Sequence, residues 1–194
     1  YGYAGQLQQR PTPADSGMIQ KNWFKIDNEK TEGVVNFVID PAYTASQKND
    51  PSALMAYTFF DGKWQIREVQ NVRLEFPDLI RHIKKFVHKN GYSNQSKIYV
   101  EPKASGKSIV QTLIRETGLN VKDDKPPTKD KVARVQDISA SIETGRVSLL
   151  KGHWNEEFLL QCQQFPSAKH DDMVDCLVMA LNKHFSGNNV LYFG

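Results

Sequence analysis

The 194-residue sequence is long enough to bury a hydrophobic core, and its 39% hydrophobic and 24% charged residues are ordinary for a soluble globular protein. Its net charge of +3 is too small to indicate nucleic-acid binding by itself. No apolar stretch reaches the length that a membrane span requires.

The first 30 residues do not resemble the start of a domain. They are rich in Gln, Gly and Pro and show little periodicity, which predicts a linker or the tail of a preceding domain. Trp23 and Phe24 are the residues expected to dock this segment onto the core. We expect one main domain over residues 31–186 and a disordered tail over residues 187–194.

Strands dominate the first half of the main domain. Apolar and β-branched runs predict four of them, at Val34–Asp40, Ala53–Phe60, Trp64–Val72 and Lys97–Glu101. The dipeptide Asp61-Gly62 lies between the second and the third, and it is a strong signal for a two-residue hairpin turn. The sequence therefore predicts an antiparallel meander at the start of the sheet.

Helices dominate the rest of the domain. Apolar periodicity predicts one helix from Pro77 and four more at Ser105–Thr117, Lys129–Thr144, Asn155–Phe165 and Asp171–Phe185. A strand is predicted at Val147–Leu150 and a loop over residues 121–130. The third helix is expected to face inward with Val132, Val135, Ile138 and Ile142. This order of elements predicts an α/β fold with a mixed sheet flanked by helices.

The two cysteines give no sign of a metal site or of a disulfide framework. Cys162 and Cys176 fall in the last two predicted helices, and their spacing is not that of metal ligands. We expect both to be buried free thiols in a reducing compartment.

Two carboxylates occupy equivalent positions at the ends of predicted strands. Asp40 ends the run VVNFVID, Glu101 ends KIYVE, and a proline follows each of them. Open α/β sheets place their active sites at the carboxyl ends of strands. Either residue alone is more often a turn or strand-end residue than a ligand, but the repeated arrangement favours a shared site.

A third group of acids begins the last predicted helix. Asp171 and Asp172 are adjacent, and Asp175 lies on the same helical face as either of them. Acids in a first helical turn also stabilise the helix dipole, which is the structural alternative. The apolar remainder of this helix favours burial with its acids directed at the sheet. Together with Asp40 and Glu101, they predict a centre for Mg²⁺ or Mn²⁺, and two such ions can cut a phosphodiester.

Basic residues are concentrated in the middle of the chain. Residues 103–151 carry 10 Lys and Arg against 6 Asp and Glu, a balance that suits a polyanion next to a metal site. Lys129, Lys131 and Arg134 at the start of the third helix are candidate contacts to a nucleic-acid backbone. An ordinary solvated helix surface is an equally good interpretation of these three residues.

The string KASGKS at residues 103–108 follows a strand and precedes a helix, as a phosphate-binding P-loop does. A P-loop needs glycine at position 101, where this chain has Glu101, so that motif is excluded. Lys103 and Lys107 stay candidates for contacts to a DNA phosphate at the helix start. His170, beside the acids, is a candidate for orienting a water or is simply a neighbour of the helix cap.

Four segments together resemble the C-terminal nuclease domain of the large terminase subunit of tailed bacteriophages: VVNFVIDPAYT, KIYVEPKASG, KDKVARVQDISASIETGRV and KHDDMVDCLVMAL. The resemblance spans about residues 33–185. Each segment alone is a weak signal, and their ordered combination is specific. YAGQLQQRPTP near the beginning also resembles the segment that leaves the ATPase domain in those proteins.

The resemblance implies an RNase H-like fold and a two-metal endonuclease that cuts viral DNA during genome packaging in the cytoplasm of the infected host. Asp40, Glu101 and Asp172 would then be metal ligands for two Mg²⁺ or Mn²⁺ ions, with Asp171 close to the site. The implied partners are double-stranded DNA, an N-terminal ATPase domain, the small terminase subunit and the portal. No membrane association is implied.

Two other functions are compatible with the same acidic residues. Another RNase H-like nuclease, of the resolvase or transposase type, would retain the acids and act on a different DNA substrate. A non-catalytic DNA-binding or assembly module would use the same acids structurally. Cleavage of plasmid DNA in the presence of Mg²⁺ or Mn²⁺ discriminates between an enzyme and such a module.

Overall fold

The computed structural model describes residues 17–41, 51–101, 104–168 and 170–185, with only the backbone at 104–107. The strands are β1 Lys25–Asp27, β2 Val35–Asp40, β3 Ser52–Phe60, β4 Lys63–Val72, β5 Ile98–Val100, β6 Val121–Asp123 and β7 Val147–Leu150. The helices are α1 Phe76–Lys89, α2 Ala104–Thr117, α3 Lys131–Glu143, α4 Asn155–Gln164 and α5 Asp172–Phe185. Within the described ranges the strands form one seven-stranded mixed sheet in the order β1-β7-β4-β3-β2-β5-β6.

The centre of the sheet is the predicted antiparallel meander. β2 pairs antiparallel with β3, and β3 pairs antiparallel with β4. Asp61 and Gly62 join β3 to β4 with φ angles of 49° and 70°, the left-handed conformations that two-residue hairpin turns of this kind require. On either side the sheet continues with parallel pairs, β2 with β5 and β4 with β7. The mixed sheet predicted from the sequence is therefore confirmed.

Side chains of alternating strand residues form a separate core on each face of the sheet. Phe37 and Ile39 of β2 pack with α1 and α2, whereas Val38 between them packs with α3, α4 and α5. This alternation is the two-residue period of a strand whose two faces are both covered. The face that carries α5 has the larger core, and all nine residues of Met173–Leu181 are buried there. The burial of these residues fixes the start of α5 against the central strands.

Two short strands lie where the sequence predicts none. β6 falls within the predicted loop over residues 121–130 and pairs parallel with β5. β1 falls within the predicted linker and pairs parallel with β7. Each is three residues long, so neither can show the alternation on which strand prediction depends. From Gly17 onwards, the segment assigned to a linker contributes to the same core, because Ile19 and Phe24 are buried in it.

The structure also tests the burial that the sequence predicts for several single residues. Phe24 docks as expected, and Cys162 and Cys176 are buried free thiols. Val132 does not face inward, since 44% of it is exposed, while the other three apolar positions of α3 are fully buried. With 3.6 residues per turn, Val132 lies to one side of the helical arc that the other three positions share. The predicted tail over residues 187–194 and the first 16 residues of the predicted linker lie outside the described residues.

No helix in the described part of the chain is long and apolar enough to cross a membrane.

The start of α3 is stabilised by a side-chain cap. Asp130 Oδ1 accepts a hydrogen bond of 2.9 Å from the backbone N–H of Ala133. We expect Asp130→Ala to lower the free energy of unfolding by about 1 kcal/mol, the usual contribution of an N-cap aspartate. Urea denaturation measures this change, and Asp130→Asn, which retains an accepting oxygen, is the matched control. An equal loss in both variants would contradict a capping role.

A candidate metal centre at the end of the parallel strands

Two acids lie side by side where β2 and β5 end. The strands are parallel and pair Ile39 with Val100, so the next residues, Asp40 and Glu101, are neighbours across the sheet. The backbone N–H of Glu101 donates a hydrogen bond of 2.9 Å to the carbonyl of Ile39, which fixes this register. Adjacent strands lie about 4.8 Å apart, so the backbone itself sets the separation of the two acids.

Both acids are buried. Asp40 is 1% exposed and Glu101 is 8% exposed. Oδ2 of Asp40 and Oε2 of Glu101 are shielded from solvent. Burying a carboxylate is unfavourable unless a cation or hydrogen-bond donors compensate for the lost water. Two such groups on neighbouring strand ends are therefore an unusual concentration of negative charge for a protein interior.

Helix α5 places a third acid over this strand end. The thiol of Cys176 donates a hydrogen bond of 3.5 Å to the carbonyl of Ala53, and Ala53 is the residue of β3 that pairs with Asp40. Asp172 precedes Cys176 by one helical turn, so the two share the face that is directed at the sheet. Oδ2 of Asp172 is shielded from solvent like the oxygens of the strand acids. The geometry thus directs Asp172 toward the Asp40 side of the site.

The neighbouring face of α5 is directed at α3. Asp171 and Asp175 are one turn apart, and both form ion pairs with the ammonium group of Lys131 at the start of α3. Lys131 Nζ lies 2.6 Å from Asp171 Oδ1 and 2.6 Å from Asp175 Oδ2. The backbone carbonyl of Asp171 also accepts hydrogen bonds from the N–H groups of Val174 and Asp175, so this residue directly precedes the helix as its N-cap. A lysine therefore bridges the two acids that share this face.

The electrostatics of the site follow from burial and from the concentration of carboxylates. Burial raises the pKa of Asp175, the charge and hydrogen bond of Lys131 oppose this change, and the charge of Glu101 adds to it. Burial also raises the pKa of the Cys176 thiol, and the charges of Asp40, Asp175 and Glu101 act in the same direction. The mutual effects indicate that the strand acids and the helix acids share one electrostatic environment.

The ammonium group of Lys131 balances part of the negative charge of these acids. Burial on its own would lower the pKa of the Lys131 ammonium, but the charge of Asp175 and the hydrogen bonds with both carboxylates raise it overall. Arg134 lies one turn further along α3, and its Nη2 is 3.8 Å from Asp175 Oδ1. The first two turns of α3 thus supply two cations to the acids at the start of α5.

The donor set fits a hard divalent cation. Carboxylate oxygens are the ligands preferred by Mg²⁺ and Mn²⁺, and Asp40, Glu101 and Asp172 each have one solvent-shielded oxygen. A cation would also compensate for the cost of burying these charges. In the described part of the chain, no three His, Cys, Asp or Glu side chains already converge on one ion-sized point.

A cleft of about 400 Å³ lies beside Glu101. Its charged lining consists of three acids and three basic residues: Glu101, Asp124, Asp137, Lys125, Lys129 and Arg134. Nε of Arg134 is buried and donates no hydrogen bond to any group in the described part of the chain. The cleft therefore places basic side chains of α3 and of the segment before it near Glu101, among an equal number of acids.

The candidate basic residues have different surroundings. Lys131 is enclosed among the acids, whereas Lys129 forms a surface ion pair of 2.6 Å with Asp137 while lining the cleft. Lys103 and the side chain of Lys107 lie outside the described residues. His170 is partly buried next to the acids of α5.

The ion pair between Lys131 and Asp175 is a feature of this site that the sequence does not predict. The sequence marks Asp175 only as a neighbour of the adjacent aspartates, and Lys131 only as a candidate for DNA contact. Their ion pair joins residues 44 positions apart, so no local pattern reports it. The available signal is the spacing of Asp171 and Asp175 on one face of an otherwise apolar helix, which implies a buried cation opposite them.

Comparison with known proteins gives matches to this fold. The sequence profile of the terminase RNaseH-like domain matches residues 38–184, which is most of the chain. No curated protein sequence matches the chain. Several solved structures share its fold at low sequence identity.

Three of these structures show the range of the similarity. The large terminase of a thermophilic bacteriophage aligns with a TM-score of 0.67 at 12% identity, covering 90% of this chain and 45% of that one. The large terminase nuclease of thermophilic phage G20c, solved with bound zinc, gives 0.61 at 16%, covering 89% and 99%. The human cytomegalovirus terminase nuclease domain, soaked with manganese and inhibitor-bound, gives 0.56 at 16%, covering 77% and 81%. The chain thus spans less than half the length of the first of these proteins.

Proposed function

The chain belongs to the terminase RNaseH-like domain family, and from this membership and the buried acids we propose that it is a metal-dependent endonuclease that cuts double-stranded DNA. One observation supports this proposal most strongly. Asp40 and Glu101 end neighbouring parallel strands as buried acids, and Asp172 lies one turn before Cys176, which contacts β3 beside Asp40. Structural acids need not gather at one strand end, whereas ligands of catalytic ions must lie close together.

The three acids would act together in phosphodiester hydrolysis. Two Mg²⁺ or Mn²⁺ ions, when bound, would supply an activated water for in-line attack and stabilise the leaving oxygen. Asp40, Glu101 and Asp172 would hold these ions, with Asp40 and Glu101 side by side in the sheet. Burial of the acids keeps bulk water from competing for the ions.

The cleft next to Glu101 would hold the DNA backbone. Arg134, Lys125 and Lys129 line it, and Arg134 also lies next to Asp175. A guanidinium can hold a phosphate through two parallel hydrogen bonds. We therefore assign Arg134 to the scissile or an adjacent phosphate, and the lysines to phosphates further along the strand.

The whole-protein context is part of the same proposal. The large terminase of the thermophilic bacteriophage is covered to only 45% by this chain, so that protein has a second half outside the shared fold. By analogy, this nuclease would act next to an ATPase domain, with the small terminase subunit and the portal as further partners. Its substrate would be viral DNA during packaging in the cytoplasm of the infected host.

Cleavage of supercoiled plasmid tests the proposal directly. The protein is expected to nick and linearise plasmid with Mn²⁺ or Mg²⁺ and to leave it intact with EDTA. Binding of DNA without cleavage under all metal conditions would favour a non-catalytic module. Strong preference for branched DNA over linear duplex would instead favour a resolvase-type nuclease.

Arg134 gives a separate prediction for DNA binding. Arg134→Gln is expected to weaken binding of duplex DNA across all sequences and to reduce the slope of log affinity against log salt by about one. Fluorescence anisotropy over a salt series, without divalent ions, measures both changes. Arg81→Gln is the control, because Arg81 pairs with Asp78 on α1 at the opposite face of the sheet. An equal effect of the two variants would remove Arg134 from the DNA interface.

A further inference from the structure

Lys131 has the environment of a bound cation. Its ammonium lies 2.6 Å from one oxygen of Asp171 and 2.6 Å from one oxygen of Asp175. The side chain is only 29% exposed, and that of Asp175 is 10% exposed. Lysine supplies one positive charge to two carboxylates at a distance typical of strong, charge-assisted hydrogen bonds.

We propose that Lys131 is a built-in competitor of the divalent ions, which restrains metal loading of the site until the ammonium is displaced. This inference rests on the proposed metal centre, and it goes further by assigning a regulator within the same chain. The ammonium occupies oxygens of Asp171 and Asp175 on the face of α5 next to Asp172. It also adds a positive charge beside the acids that would hold the ions.

The charge balance explains the direction of the effect. Lys131 engages two of the five carboxylates of the site, while Asp40, Glu101 and Asp172 are the proposed ligands of the divalent ions. A positive charge next to the site repels an incoming cation, and partial burial reduces screening by solvent. Removing the ammonium leaves Asp171 and Asp175 without the charge of Lys131 beside the site, so divalent ions should bind more tightly.

A purely structural clamp between α3 and α5 makes the opposite prediction. In that case Lys131 would hold Asp171 and Asp175 in position for the ions, and its loss would loosen the site and weaken metal binding. Both roles use the same contacts between the ammonium and the carboxylate oxygens. The sign of the change in metal affinity separates the two roles.

The experiment is a titration of Mn²⁺ into the wild-type chain and into Lys131→Met, without DNA, by isothermal calorimetry. Methionine retains most of the aliphatic side chain and removes only the charge. We expect Lys131→Met to bind Mn²⁺ at least about tenfold more tightly than wild type. We also expect a lower Tm without metal and a larger rise in Tm on adding Mn²⁺, because the ion replaces the lost counter-charge.

Two further variants serve as controls. Lys131→Arg retains the charge and is expected to bind Mn²⁺ as wild type does. Lys89→Met removes a lysine from a different buried acid, since Lys89 Nζ lies 2.7 Å from Glu68 Oε1 on another part of the fold. It should lower Tm without metal and leave Mn²⁺ affinity unchanged.

Each outcome decides one question. If wild type binds Mn²⁺ and Lys131→Met binds it no more tightly, the competitor role of Lys131 is refuted. The proposed nuclease function is not affected by that result. If neither protein binds Mn²⁺ although both are folded, the proposed metal centre is refuted, and the competitor role of Lys131 is refuted as well. Tighter binding by Lys131→Met together with wild-type binding by Lys131→Arg establishes the competition.

Discussion

Asp40→Asn is expected to lower the rate of DNA cleavage by roughly 10³-fold. Metal ions contribute several kcal/mol of transition-state stabilisation, and each 1.36 kcal/mol corresponds to a factor of about ten in rate. Asp40 lies between the other candidate ligands in the sheet order, because Glu101 is beside it on β5, and Cys176, one turn after Asp172, contacts Ala53 beside it on β3. An amide keeps the shape of the side chain and supplies a much poorer ligand, so the loss should appear in kcat.

The same substitution is not expected to unfold the protein. Asp40 is 1% exposed beside other acids, so neutralising it removes an unfavourable buried charge. Single-turnover cleavage in Mn²⁺ and thermal unfolding without metal measure the two effects. Asp78→Asn, an exposed acid on α1, should change neither quantity. Full activity in Asp40→Asn would refute its place at the centre of the site.

The second large effect separates the two adjacent aspartates of α5. We expect Asp172→Asn to cost roughly 10³-fold in cleavage rate, like Asp40→Asn, and Asp171→Asn to cost only about tenfold. Asp172 shares the sheet-directed face of α5 with Cys176, whereas an oxygen of Asp171 is held by Lys131. The side chains therefore have different neighbours although they are consecutive in sequence.

Metal binding should change in parallel with the rates. Calorimetric titration of Mn²⁺ is expected to show a large loss of affinity in Asp172→Asn and a small change in Asp171→Asn. Both variants keep the first turn of α5, because the backbone carbonyl of Asp171 accepts the capping hydrogen bonds in either case. A larger loss in Asp171→Asn than in Asp172→Asn would reverse the assignment.

The elements with a strong local signal could be predicted from the sequence. The hairpin is predictable because Asp61 and Gly62 tolerate positive φ, and α5 because its apolar residues are continuous. β1 and β6 are not, since each gains its three-residue strand from pairing with a distant neighbour. The inward orientation predicted for Val132 is wrong, because Val132 lies to one side of the helical arc that Val135, Ile138 and Ile142 share.

The candidate site is predictable in part for the same reason. Asp40 and Glu101 each follow an apolar strand, so their position at strand ends is a local property of the sequence. The ion pairs of Lys131 with Asp171 and Asp175 cannot be predicted in the same way, because these residues are far apart in the sequence. These ion pairs depend on how α3 lies across α5, which is decided by the packing of both helices on one face of the sheet.

The hydrogen bond from the N–H of Glu101 to the carbonyl of Ile39 divides the site into a rigid part and an adjustable part. The separation of the two strand acids is set by the backbone ladder and does not depend on any side chain. The position of Asp172 relative to them depends on the apolar contacts under α5, such as those of Val174 and Leu177. Slight loosening of these contacts would therefore change ion affinity while the strand pair stays intact. Evolution can in this way tune metal affinity through core residues that never touch an ion.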